Sequence, residues 1–191
     1  MNQTTLYFMR HGQVYNPQDI LYGRLPNFGL SEKGIKDVEN AATKLKNFGI
    51  THIYSSPMLR AKQTAKIIGS KLGIEASTSR LLNEVRIIFQ GMPLSKYRLE
   101  IQPKLYNQQL VAKGQESIDE IASRMMKFLH TMIQRHSKES ILAISHGDPI
   151  LILAAKTKGI PFTWEYKRSH YLQPGKFIKV DVIGDKYRWS M

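Results

Sequence analysis

Short apolar runs alternate along this chain with longer segments whose apolar residues recur at helical spacing. That alternation constrains the fold more than any other feature. Strands separated by helices pair in parallel, and helices then cover both faces of the sheet. Thr4 to Met9 reads as the first strand. Ser31 to Phe48 reads as a helix with Ile35, Val38, Ala41, Ala42, Leu45 and Phe48 on one face, Ser31 as its N-cap and Gly49 as its stop. Ile53 to Ser55 reads as a short strand, and Pro57 as the first turn of a helix that runs to Leu72 and ends at Gly73. Ile74 to Leu81 contains another extended piece.

Leu94 to Leu110 is less regular and reads as an insertion with partial helix, broken at Pro103. Ser117 and Glu120 form a capping-box pattern that opens a helix to about His136. Ser140 to Ser145 is a continuous apolar strand. Asp148 as N-cap and Pro149 at the first helical position then begin a helix to Lys158, closed by Gly159. Phe177 to Ile183, the turn Gly184-Asp185 and Tyr187 to Trp189 read as a terminal hairpin. The expected fold is an α/β sandwich of three layers, α/β/α, with a mostly parallel central sheet and antiparallel edge strands from the hairpin. Its 191 residues suit one domain, 1–191, with a cap-like insertion around 85–114.

Three strand ends carry the chemistry. The first strand ends in Arg10-His11-Gly12. The second opens into Ser55-Ser56-Pro57, followed by Arg60 and then Thr64-Ala65. The strand at 140–145 ends in His146-Gly147-Asp148. In a parallel sheet these ends lie on one side, where ligands bind. Two arginines supply planar bidentate donors for a phosphate dianion. A neutral imidazole is a competent nucleophile, and a second one can donate to the equatorial oxygens of a loose transition state. With the arginines meeting the phosphate charge, this chemistry calls for no metal and no other cofactor. The chain has no cysteine, which removes a thiol nucleophile, disulfides and thiolate metal sites.

These motifs, in this order and spacing, resemble the histidine phosphatase superfamily, also called phosphoglycerate mutase-like, over nearly the whole chain. The resemblance implies the phosphoglycerate mutase-like fold and phosphorylation of His11, with Arg10, Arg60 and His146 completing the phosphate pocket. Glu84 matches the position of the family's glutamate. It would protonate the leaving oxygen and then activate water against the phosphohistidine. Asp148, two residues past His146, is the rival acid. Asn16 is the candidate phosphate ligand through its amide, although the family's common acidic residue and hydroxyl are replaced by Gln13 and Val14, and Asn16 comes one residue early. Tyr22 and Arg24, with the 94–110 insertion, are placed to build the substrate pocket, and Gly147 to approach the phosphate.

The expected activity is hydrolysis of a small phosphomonoester by a phosphohistidine mechanism. The alternatives are mutase-type phosphoryl transfer and a catalytically silent module that holds phosphorylated ligands. The partner is a small phosphorylated substrate. Net charge is +13, but the basic residues are spread out, with no block of five or six. They read as solvated surface or as steering for an anion, and no nucleic-acid motif accompanies them. Met1 to Thr5 lacks a basic leader region, and no apolar run is long enough to span a bilayer, so the expected location is the cytoplasm, away from membranes. His52 and His136 read as ordinary surface or turn residues and His130 as structural; His170 either lines a pocket or has no role. Oligomeric state is not encoded in any of these patterns.

Overall fold

A computed structural model describes residues 3–190. Met1 and Asn2, part of the leader reading, lie outside them. Six strands form one sheet: β1 (Gln3–Arg10), β2 (Ile50–Ser55), β3 (Ala76–Thr78), β4 (Ser140–Ser145), β5 (Phe177–Ile183) and β6 (Lys186–Ser190). Their order is β3-β2-β4-β1-β5-β6. The first four are mutually parallel; β5 and β6 run antiparallel, as the hairpin reading expects. The helices are α1 (Glu32–Leu45), α2 (Leu59–Leu72), α3 (Leu94–Lys96), α4 (Gln108–Ala112), α5 (Ile118–Arg135), α6 (Gly147–Lys158) and α7 (Trp164–Ser169). Among the described residues, no helix is long and apolar enough to cross a membrane.

The two central strands show why their sequences are continuously apolar. Leu6 and Phe8 of β1 and Ile141 and Ala143 of β4 face a core shared with α5 and α6. Tyr7, Met9, Leu142 and Ile144 face the opposite core, shared with α1 and α2. Alternate side chains point to opposite faces, so a strand covered on both sides must be apolar at every position. The register then sets the site. Arg10 pairs with Ser145, and Ser55 pairs with Ile144, so the three strand ends finish level with one another.

Several boundaries differ from the sequence reading. β2 starts at Ile50, because Thr51 and His52 lie where the strand is only partly covered. α2 starts two residues after Pro57, with the extended Met58 as its N-cap. α6 starts at Gly147 with His146 as N-cap, since His146 is extended and its carbonyl accepts from Ile150 N–H. Asp148 is therefore inside the helix rather than capping it. The insertion is broken at Pro103 as expected: helical backbone runs from α3 through 97–101, Pro103 lies in a tight turn at 102–104, and α4 starts separately at Gln108. A close approach behind the nucleophile loop explains one glycine. A Cβ on Gly34 would lie 2.1 Å from the Gln13 carbonyl oxygen, so α1 can support the loop after His11 only with glycine there.

Candidate active site

The backbone places the two imidazoles first. His11 N–H donates to the Ser145 carbonyl at 3.1 Å, joining the ends of β1 and β4. His11 and His146 are both buried, and their ring centroids are 5.1 Å apart. The Nδ1 of His11 lies 2.8 Å from the Gly12 carbonyl oxygen, which can only accept. Nδ1 thus carries the proton and Nε2 holds the lone pair. Burial, then the charges of Arg60 and Arg10, hold the His11 pKa well below its ordinary value, so the ring is neutral at physiological pH.

Arg60, in the first turn of α2, is 1% exposed and sits between the rings. Its Nε donates to His11 Nε2 at 3.1 Å, and its Nη2 lies 3.2 Å from His146 Nδ1 and 2.8 Å from the Gly23 carbonyl. Tyr22 covers the guanidinium with its ring, at 4.8 Å to the centroid. The far nitrogen of His146 meets Ser56 Oγ at 2.9 Å, and Ser56 continues to Asn83 Oδ1. Thr64 accepts from Gly12 N–H and donates to the Arg60 carbonyl, tying the nucleophile loop to α2. Arg10 donates through Nη1 to the Leu172 carbonyl, while its buried Nε has no partner among the described residues. A buried unpaired donor is costly unless a ligand completes it. Gly147, at the start of α6, packs beside this guanidinium, where a Cβ would stand 3.6 Å away.

Glu84 reaches the same spot from the loop after the 80–82 turn. Its Oε1 accepts from Val85 N–H, and its Oε2 lies 3.4 Å from His146 Nδ1 and 3.7 Å from Arg60. Burial is the main cause that raises its pKa, with the Asp148 charge adding and Arg60 opposing. A raised carboxyl pKa is what a proton donor needs. The rival Asp148 is engaged elsewhere: its Oδ2 accepts from Tyr106 at 2.6 Å and from Lys167 at 2.8 Å. Those bonds fasten the insertion to α6 and leave Glu84 as the carboxyl that faces the two imidazoles.

Other sequence candidates have different places. Both ends of the Asn16 amide bond the Ile20 backbone, closing its own loop. Arg24 holds the Glu84 carbonyl through Nε at 2.7 Å and pairs with Glu116 through Nη2 at 3.1 Å. His170 stacks on Tyr166 at 4.1 Å, and the exposed His130 meets the Tyr187 hydroxyl. Sequence reasoning missed Glu116. This buried carboxylate pairs with Arg24 and with Arg124 at 2.7 Å and accepts from Arg86 N–H, and Arg124 also holds the Leu81 carbonyl. Glu116 thus fixes the loop that delivers Glu84. Removing it strands two partly buried guanidiniums, so Glu116→Ala is expected to cost about 3–5 kcal/mol in urea unfolding.

His11, Glu84 and His146 each offer a ligating atom within 4.8 Å of the others. A cation already stands among them, since the Arg60 guanidinium bonds both ring nitrogens that would bind a metal. The trio is accordingly suited to an anion placed against the arginines.

Comparison with known proteins gives the family and the fold. The family model of the histidine phosphatase superfamily (branch 1) matches residues 6–190. An uncharacterized protein of Mycobacterium tuberculosis, Rv0525, is 30% identical over 156 residues, covering 79% of this chain and 77% of the relative. A probable phosphoglycerate mutase, GpmB, of Yersinia pestis is 28% identical over 165 residues, covering 82% of this chain and 75% of the relative. Among solved structures, YhfR of Bacillus stearothermophilus superposes with a TM-score of 0.84 at 23% identity, covering 98% of this chain and 96% of that one.

Proposed function

Since the chain belongs to branch 1 of the histidine phosphatase superfamily, we propose that it is a phosphatase that hydrolyses a small phosphomonoester through a phosphohistidine on His11. The observation that carries this reading is the state of His11: neutral, protonated on Nδ1, with Nε2 aimed at Arg60, His146 and Glu84. The incoming phosphoryl group takes over the Arg60 donor that now caps Nε2 and completes the unpartnered Arg10 Nε. Nε2 forms the N–P bond as the P–O bond breaks. The electron pair leaves on the ester oxygen, which takes its proton from Glu84. Arginine and imidazole donors meet the equatorial oxygens throughout. Water then gives its proton to the Glu84 carboxylate and attacks phosphorus, the N–P pair returns to Nε2, and phosphate leaves.

The insertion around 85–114 serves as the cap on the substrate side, held down by the Tyr106–Asp148 bond. The net charge of +13 favours approach of an anion. The likeness to a probable phosphoglycerate mutase makes isomerisation the second reading. A panel of phosphomonoesters scored for phosphate release separates the two. Release from several esters, undiminished by chelator, is expected. Efficient conversion of 3-phosphoglycerate with a bisphosphate primer, without net release, contradicts the phosphatase.

Protonation states give a further prediction. Turnover needs His11 neutral, and its lowered pKa keeps it so until the solution is well acidic. Turnover also needs Glu84 protonated, and its raised pKa extends that state upward from the usual carboxylate range. The acid limb of kcat/KM therefore belongs to His11 and the alkaline limb to Glu84. Glu84→Gln is expected to abolish the alkaline limb in a pH–rate profile of kcat/KM measured with an alkyl phosphate, whose leaving oxygen needs the proton.

A further inference from the structure

His52 and His136 lie 84 positions apart in sequence yet meet at the other end of the sheet from the active site, with ring centroids 3.9 Å apart and the rings tilted by 39°. His52 comes from the first half of β2, His136 caps the C-terminus of α5, and Glu139 stands just before β4. His52 Nδ1 is 2.9 Å from Glu139 Oε2, and His136 Nδ1 is 3.9 Å from Glu139 Oε1. One ligating atom from each of the three residues lies within 4.8 Å of the other two. We propose that His52, His136 and Glu139 form a binding site for a divalent first-row transition ion, with Zn²⁺ the best match and water completing the shell.

Donor chemistry and the surrounding contacts support this. Two imidazoles and a carboxylate are a common zinc ligand set, and tetrahedral bonds of about 2.0–2.2 Å place ligand atoms about 3.3–3.6 Å apart, so the His52–Glu139 edge would open slightly from 2.9 Å and the His136–Glu139 edge close slightly from 3.9 Å. Tyr54 Oη lies 2.8 Å from His136 Nε2, which leaves Nδ1 as the free nitrogen on the side of the carboxylate. Thr51 Oγ1 donates to Glu139 Oε2 at 2.8 Å, orienting the carboxylate. Such outer contacts fix ring orientation and carboxylate rotation around bound metals. His52 and Glu139 side chains remain 40% and 35% exposed, so an ion can enter from solvent. Among the described residues no arginine bonds these rings, in contrast to the active-site trio. A bound ion would fasten β2, the end of α5 and the start of β4 together.

Calorimetric titration of the full chain with Zn²⁺, paired with Co²⁺ absorption in the visible range, tests the site. One equivalent per chain is expected, with tetrahedral-type cobalt bands. His52→Ala and Glu139→Gln should each weaken binding by roughly 100-fold, and Tyr54→Phe by about tenfold. His11→Ala should leave zinc binding unchanged, because that histidine belongs to the other cluster. At about a hundred-fold excess over Kd, zinc should raise the melting midpoint by roughly 5–10 °C in the parent and not in His52→Ala. No binding at millimolar Zn²⁺ overturns the proposal. So does binding that survives both His52→Ala and Glu139→Gln, or that disappears in His11→Ala.

Discussion

His11→Asn is expected to reduce phosphomonoester hydrolysis by roughly 10⁴-fold or more, a barrier increase of about 5 kcal/mol. Removing Nε2 removes the atom that forms the N–P bond, and no other nucleophile stands in its place. The asparagine amide takes the place of Nδ1 and keeps a partner for the Gly12 carbonyl, and Arg60 keeps its bond to the Gly23 carbonyl, so the protein should fold. Arg10 and Arg60 are untouched. The variant should therefore still bind inorganic phosphate as a competitive ligand, which separates loss of chemistry from loss of the pocket. Steady-state kinetics with a parallel phosphate-binding isotherm makes this check. Full activity in the variant removes His11 as nucleophile; loss of both activity and phosphate binding points to a collapsed site.

Glu84→Gln is expected to produce the second largest effect, and its pattern matters more than its size. With alkyl phosphates, whose leaving oxygen needs a proton, kcat should fall by roughly 10²–10⁴-fold. With p-nitrophenyl phosphate the first step needs little acid assistance, so phosphorylation of the enzyme should be nearly unimpaired. Hydrolysis of the phosphoenzyme still needs the carboxylate to activate water. The variant should thus release a stoichiometric burst of nitrophenol and then turn over slowly. Asp148→Asn should show neither the burst nor the leaving-group selectivity, because Asp148 serves Tyr106 and Lys167. Rapid-mixing traces with the two ester classes distinguish the roles.

The parts of this protein that are legible from sequence are those in which one residue's neighbours in the chain are also its environment. β1 and β4 are continuously apolar because both of their faces are covered, and a Gly-bounded run of that kind has few other readings. Arg10, His11, Arg60, His146 and Glu84 each follow a strand or a turn directly, so a parallel sheet of any register close to the observed one gathers them. β2 appeared short because Thr51 and His52 interrupt its apolar pattern where the strand is only partly covered. Asp148 followed by Pro149 has the local signature of a cap, but the extended backbone of His146 takes that role two residues earlier. The fate of Asn16 depended on how its loop closes, and that of Arg24 on a carboxylate 92 residues away. Glu116 has no local signal at all: beside a capping box it reads as an exposed loop residue, and only the fold reveals the two arginines that converge on it. The same limit hid the His52–His136 pair.

Direct capture of the intermediate tests the central claim most closely. The protein is mixed with a turning-over substrate, quenched in base within milliseconds, and digested for mass spectrometry under conditions that preserve phosphoramidates. One phosphoryl group on His11, stable in base and lost in acid, is the predicted result, and it should persist longer in Glu84→Gln. Turnover with no phosphorylated protein at any time, or phosphate on a residue other than His11, contradicts the account.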